Sequence, residues 1–324
     1  MKELSRIHDE IRSTLEGLEP SRKLYRKRSK IYGTLVWVPL VGLIAGGFLL
    51  HDSAMFFWIG GGLWFVISLI IYQIRAGSVK KQYCTNYKNT VVPALLSLID
   101  SQLEFNPEGG IPSNEFSYSE LFKTSPDRYS TEDLIFGYYG KTALRLAEVH
   151  AEDRRTTTDS KGRTRTTYVT IFKGLLLIAD FNKHFQGRTF VFPDKAEKLF
   201  GGVGRFFQKL GGRKETDLIQ LENVEFEKRF AVYATDEIEA RYILSTSLME
   251  RLVEMRDRFG KDVRMGFKDS NLLLAVPYGK SYLEPNTKIA ATETSQVDGL
   301  LEELRYFLDT IEELDLNTRI WTKH

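Results

Sequence analysis

The sequence predicts an α+β protein, a two-helix transmembrane hairpin followed by a cytoplasmic domain with an antiparallel sheet and flanking helices. Three observations predict it. Two long uncharged apolar runs lie back to back near the N-terminus, at residues 31–50 and 53–74. Strand-like segments rich in β-branched and aromatic residues fill residues 105–193 and recur later. Helical spacing with capping residues appears after Asp236 and after Thr294. At 324 residues the chain is long enough for about two domains. The reading divides it into an N-terminal amphipathic helix with a basic flank (1–30), the hairpin (31–74) and the cytoplasmic domain (75–324).

Leu4, Ile7, Ile11, Leu15 and Leu18 recur at helical spacing. That helix has three destinations: the bilayer surface, the main domain, or a second copy. Pro20 is expected to end or kink it. The first apolar run has twenty residues and the second twenty-two, separated by His51 and Asp52. A bilayer core of roughly 30 Å needs about 20 apolar residues in a helix. Each run contains eleven Leu, Ile, Val or Phe, contributing on the order of −3 to −7 kcal/mol toward insertion. The mostly polar residues 1–30 argue against a signal peptide. Six Lys and Arg lie in 21–30, more follow at Arg75, Lys80 and Lys81, and the connecting turn has none. Positive charge stays on the cytoplasmic side, so both termini are expected there. Neither run carries an ionisable residue, which argues against a transport pathway. Gly42, Gly46, Gly60 and Gly61 are the candidate packing positions, within the hairpin or between copies in a homo-oligomer.

Residues 77–104 read as a juxtamembrane helix interrupted near Pro93, carrying the lone Cys84. Residues 168–181 read as a strand pair or a bent strand with Gly174 at the bend. Ser130–Leu134 shows brief helical periodicity. Asp236 with Glu239 and Ser247 with Glu250 have capping-box spacing, and Gly260 ends the second of these helices. Lys268–Asn271 reads as a hairpin turn. From Val297 to Leu314 an apolar stripe marks a long helix facing a core or a partner groove.

Residues 171–194 (IFKGLLLIADFNKHFQGRTFVFPD) and 223–252 (NVEFEKRFAVYATDEIEARYILSTSLMERL) resemble the signature stretches of the bacterial family catalogued as domain of unknown function 3137. The resemblance covers roughly residues 75–320, and a double span before the domain is similar to that family's layout. It implies a bacterial membrane protein with a cytoplasmic α+β domain; with the two runs and their flanking charges, the expected location is the bacterial inner (plasma) membrane, multi-pass. It brings no activity, substrate or catalytic residue with it.

Chemistry-bearing motifs are few. Lys and Arg number 45 against 43 Asp and Glu, a net charge of +2, which excludes a generally basic nucleic-acid binder. One cysteine excludes a disulfide scaffold and a Cys-based zinc site. Gly140-Lys141-Thr142 and Gly279-Lys280-Ser281 lack the phosphate-loop glycine and read as turns. His150 and His184 make a metal pair only if their strands meet, with Glu148 or Asp180 nearby. No cofactor, metal or catalytic set is expected. Asp236, Glu237 and Glu239 are explained by capping. Two basic segments remain. Residues 153–165 carry five Lys and Arg around a tip at Ser160, Lys161 and Gly162, an ordinary exposed turn by residue type. Residues 195–214 carry six, interleaved with phenylalanines. Arg205, Phe206, Phe207 and Lys209 are the candidate contacts to anionic lipid headgroups or a protein partner. The expected function is a membrane-anchored binding or scaffold module. The alternative is a membrane-tethered enzyme whose polar site has no recognised motif.

Overall fold

The computed structural model describes residues 2–49, 54–180, 185–194, 217–279 and 281–318. Two compact units emerge, Met1–Leu95 with Leu283–Leu301, and Leu96–Tyr282 with Glu302–His324.

The first unit is helical. Helix α1 (Lys2–Leu49) runs 48 residues, with Pro20 and Pro39 inside it. Pro20 therefore does not end the helix. A proline removes one N–H and crowds the carbonyl four residues back, and the turn around Pro20 is held from outside. Arg22 pairs with Glu19 at 2.6 Å and donates to the Thr287 carbonyl at 3.1 Å. Glu19 in turn accepts from the Ala291 N–H at 2.8 Å. Along the same helix Ile11, Leu15 and Leu18 are buried, while Trp37, Val38 and Val41 are exposed. Helix α2 (Ala54–Tyr72) passes through a π turn (Gln73–Gly77) into α3 (Ser78–Ile99). Pro93 lies inside α3 without interrupting it. Tyr83, Tyr87, Val91 and Val92 form its buried face. Two helices of this unit are long and apolar enough to cross a membrane by length and composition.

Among the described residues, the second unit is built on a nine-stranded antiparallel sheet. Its strands are β1 (Leu103–Asn106), β2 (Arg128–Tyr139), β3 (Thr142–Thr158), β4 (Thr164–Asp180), β5 (Thr189–Pro193), β6 (Asp217–Ile219), β7 (Phe230–Ala234), β8 (Arg264–Lys268) and β9 (Asn271–Pro277). The order across the sheet is β1-β2-β3-β4-β9-β8-β5-β7-β6. One face packs Phe116, Phe122, Phe172, Phe190 and Leu273 into a core. Side chains alternate between faces along a strand, so Leu272, Leu274 and Val276 face the other way, and they too are buried. The short helix α4 (Ser113–Tyr118) precedes β2, and α5 (Val224–Glu227), α6 (Glu237–Ile243) and α7 (Thr246–Phe259) lie between β6 and β8. Helix α8 (Thr294–Thr318) supplies the expected stripe, with Leu304, Phe307, Leu308 and Ile311 buried. This is the expected α+β arrangement.

Local chemistry explains the elements. Asp236 caps α6 by accepting from the Glu239 N–H, as its spacing predicts. For α7 the cap is Ser245, accepting from Leu248 N–H, rather than Ser247. Gly260 closes that helix at φ 136°. The stretch read as weakly helical at Ser130–Leu134 is part of β2. There a bulge sets Asp133 and Leu134 against Ala147, with Asp133 at φ 60°. Gly174 lies within a single strand. A Cβ there would meet the Val276 carbonyl at 2.1 Å, so glycine permits close backbone approach to the end of β9.

Candidate functional site

Of the residues singled out from the sequence, Arg205, Phe206, Phe207, Lys209 and His184 lie outside the described residues. Among the hairpin glycines, a Cβ on Gly61 would touch the Leu43 side chain of α1 at 3.5 Å, whereas Gly42 and Gly60 face open space. Gly46 lies within α1. His150 sits 3.9 Å from Glu152. Cys84 is buried, and burial pushes its thiol up to about 11, which keeps it neutral and unreactive.

The sheet unit gathers polar side chains in three places. At the β8–β9 hairpin, Lys268 is almost wholly buried. Its Nζ donates to Glu120 Oε1 at 2.6 Å and to the Tyr118 carbonyl at 3.1 Å, and lies 3.6 Å from the Tyr118 ring centroid. Arg188 contacts the same carboxylate at 3.3 Å. Tyr118 donates its hydroxyl to Asp269, and this bond raises its pKa. Glu120 holds a left-handed backbone, φ 56°, just after α4, where glycine is the usual residue. The group joins the end of α4 to the hairpin by charge. Sequence reading missed it because its members are about 150 residues apart. The available signal was a basic residue at each end of β8, Arg264 and Lys268.

At the β2 bulge, Glu132, Asp133 and Glu148 bring carboxylate oxygens within 4.8 Å of one another. Such a set has the hard oxygen donors that divalent cations take. The fold accounts for the members separately: Glu132 and Glu148 are cross-strand partners, Asp133 is the bulged residue, and Glu148 accepts from the buried Tyr282 N–H at 3.1 Å.

The third place is the basic hairpin. Beyond Glu152, which still pairs with Arg128 of β2, strands β3 and β4 have only each other as ladder partners among the described residues, and the Arg154 N–H donates to the Asp127 carboxylate at 2.8 Å. Residues 154–170 are exposed throughout. Opposite residues share a face, so Arg154 stands beside Tyr168 and Thr157 beside Arg165. Arg128 stacks over Tyr168 at 3.8 Å. The Asp159 carboxylate is occupied by the Lys161 and Arg163 N–H groups, both at 2.9 Å, and shapes the tip. The ordinary turn expected at Ser160–Gly162 is present, on a ribbon much longer than a turn.

In the helical unit, the bonds from Arg22 and Ala291 hold the Glu19 carboxyl down to about 2. A depressed carboxyl adds stability above its unfolded value of 4.5 and loses it as pH falls toward 2. Glu19→Gln should therefore lower stability at neutral pH by about 2 kcal/mol and flatten the acid limb between those values. Melting of the full chain in detergent from neutral to acid pH reads both. Parallel acid limbs for variant and wild type would contradict the assignment.

Fold and geometry define a class: a chain with two candidate membrane-crossing helices and an antiparallel α+β domain. Residues 170–316 match the family described as "Protein of unknown function (DUF3137)", which bears out the resemblance drawn from 171–194 and 223–252. The match begins at residue 170, not near 75. The crystal structure of the mycobacterial trehalose monomycolate transport factor A, TtfA, is similar at a TM-score of 0.32 and 10% identity, over 64% of this chain and 86% of that one. No curated protein matches the chain.

Proposed function

We propose that the chain is a membrane-anchored binding or scaffold module. The hairpin sits in the bilayer with both ends cytoplasmic, and the domain docks anionic lipid headgroups or a protein partner through Arg205, Phe206, Phe207 and Lys209. The observation that carries the anchor is outward-facing apolar surface. Only 6% of the apolar window of the first candidate span and 17% of the second is buried. Trp37, Val38 and Leu63 are each more than 60% exposed. Leaving a Leu- or Val-sized side chain in water rather than burying it costs about 1.5–3 kcal/mol, so a hairpin of this composition belongs in hydrocarbon. The Gly61 contact with Leu43 supports packing within the hairpin. Gly42, Gly46 and Gly60 are assigned to packing with a second copy. The positive flank at 21–30 supports the orientation.

The test uses the full chain. Membranes washed in alkaline carbonate should retain it, and an alkaline-phosphatase fusion at the C-terminus should be silent. Release by carbonate or an active fusion overturns the anchor or its orientation. Arg205→Glu with Lys209→Glu should weaken capture of anionic vesicles at low salt by the chain held in a neutral nanodisc. Unchanged capture removes those two residues from the docking surface. A co-purifying small molecule that the chain converts would favour the tethered enzyme.

A further inference from the structure

We propose that the β3–β4 ribbon is an arm that grips the phosphate layer of an anionic membrane, a role resting on the membrane-anchored reading and assigned to residues other than those at 205–209. The geometry supports an arm. The last rung shared with β2 is Arg128 with Glu152, and the last shared with β9 is Gly174 with Pro277. A bulge at Ile171, between the Ala151–Phe172 and Glu152–Thr170 rungs, marks the point of departure from the sheet. From there the two strands continue as a two-stranded ribbon to the Thr158–Thr164 rung, exposed on both faces and tied at its root by the Arg154 N–H bond to Asp127 and the Arg128–Tyr168 stack.

This projection gains little from folding. An isolated two-stranded ribbon is marginal in water, and its threonines and arginines bury no core. Charge is its distinguishing content. Residues 153–165 hold five cations and two acids. Asp153 pairs with Arg155 at 3.3 Å, and Asp159 is bound into the turn. Among the described residues no carboxylate pairs with the side chains of Arg154, Lys161, Arg163 or Arg165. Arg155 and Arg165 share one face, Arg154 projects from the other, and Lys161 and Arg163 crown the tip. Cations on every side suit a layer of phosphates better than a single pocket. Like charge opposes a second copy of the ribbon. The chain is also joined covalently to two candidate spans, and each basic residue near an anionic leaflet gains about 1 kcal/mol.

The full chain, held in a phosphatidylcholine nanodisc at low salt, should co-float with phosphatidylcholine vesicles containing phosphatidylglycerol and not with pure phosphatidylcholine vesicles. The triple variant K161E/R163E/R165E should weaken that binding about tenfold or more, with hydrogen exchange in the rest of β3 and β4 unchanged. R163K/R165K, which keeps the charge, should bind as the wild type does. Equal flotation of the triple variant, or no flotation of the wild type, overturns the proposal. Displacement of the vesicles by duplex DNA at equal phosphate assigns the arm to nucleic acid and overturns it too. If carbonate releases the chain, the anchor reading has failed. If the chain stays and the triple variant floats normally, only the arm has failed.

Discussion

Replacing Glu120 by alanine is expected to cost the sheet unit about 3–5 kcal/mol, because it strands a buried lysine. Lys268 is 3% exposed and finds its counter-charge in Glu120 at 2.6 Å. With that carboxylate gone, only the Tyr118 carbonyl and ring remain, among the described residues, to solvate the ammonium. Arg188 adds repulsion from the same side. Removing both charges is milder, since a buried pair exchanged for apolar side chains of similar size is often neutral. Glu120→Leu with Lys268→Met should therefore lie close to wild type. The left-handed backbone at Glu120 sharpens the comparison. Glu120→Gly relieves about 1 kcal/mol of backbone strain and still should be destabilising, because charge dominates. Hydrogen exchange of the β8 and β9 amides in the full chain reads these differences. Exchange in Glu120→Ala within about 0.5 kcal/mol of wild type, the range of an ordinary surface substitution, would refute the account.

Gly174→Ala should cost about 3 kcal/mol, near the top of the range for overpacking. The added methyl would meet the Val276 carbonyl at 2.1 Å and the Pro277 Cα at 2.8 Å. Both obstacles are backbone, so no side chain can rotate away. The β4–β9 ladder must open at that end, and exchange should rise in residues 273–278. Gly140→Ala is the internal contrast. Gly140, unlike Gly174, has a positive φ, 59°, and faces open space, so its cost is about 1 kcal/mol of backbone strain alone. A loss at Gly174 no larger than that at Gly140 would contradict the overpacking account.

Features set by neighbours in sequence were legible. The Asp236 cap, the Lys268–Asn271 turn, the Gly260 stop and the α8 stripe each follow from residues within one or two turns of each other. Features settled at long range were not. Whether a helix survives Pro20 depends on Glu19 and Arg22 meeting Thr287 and Ala291, some 265 residues away. The α7 cap was misplaced because Ser245, Thr246 and Ser247 all have capping chemistry, and only packing selects among them. The bulge at Asp133 shows in the sequence only as brief helical periodicity, because an extra residue spoils the two-residue alternation. The basic tip at 160–162 was visible from its turn residues, but its reach was not, since exposure on both faces depends on where β2 and β9 stop. The Lys268–Glu120 pair left almost no local trace.

The π turn at Gln73–Gly77 has a mechanical consequence. It joins α2 to α3 as one shaft with no loop to absorb torsion. A turn carrying one surplus residue offsets the phase of everything beyond it by about 100°. The surplus residue thereby sets which stripe of α3 points inward. Twisting of the upstream segment about its own axis would be handed on to Tyr83 and Tyr87 as rotation, much as a keyed axle passes on the turn of its wheel.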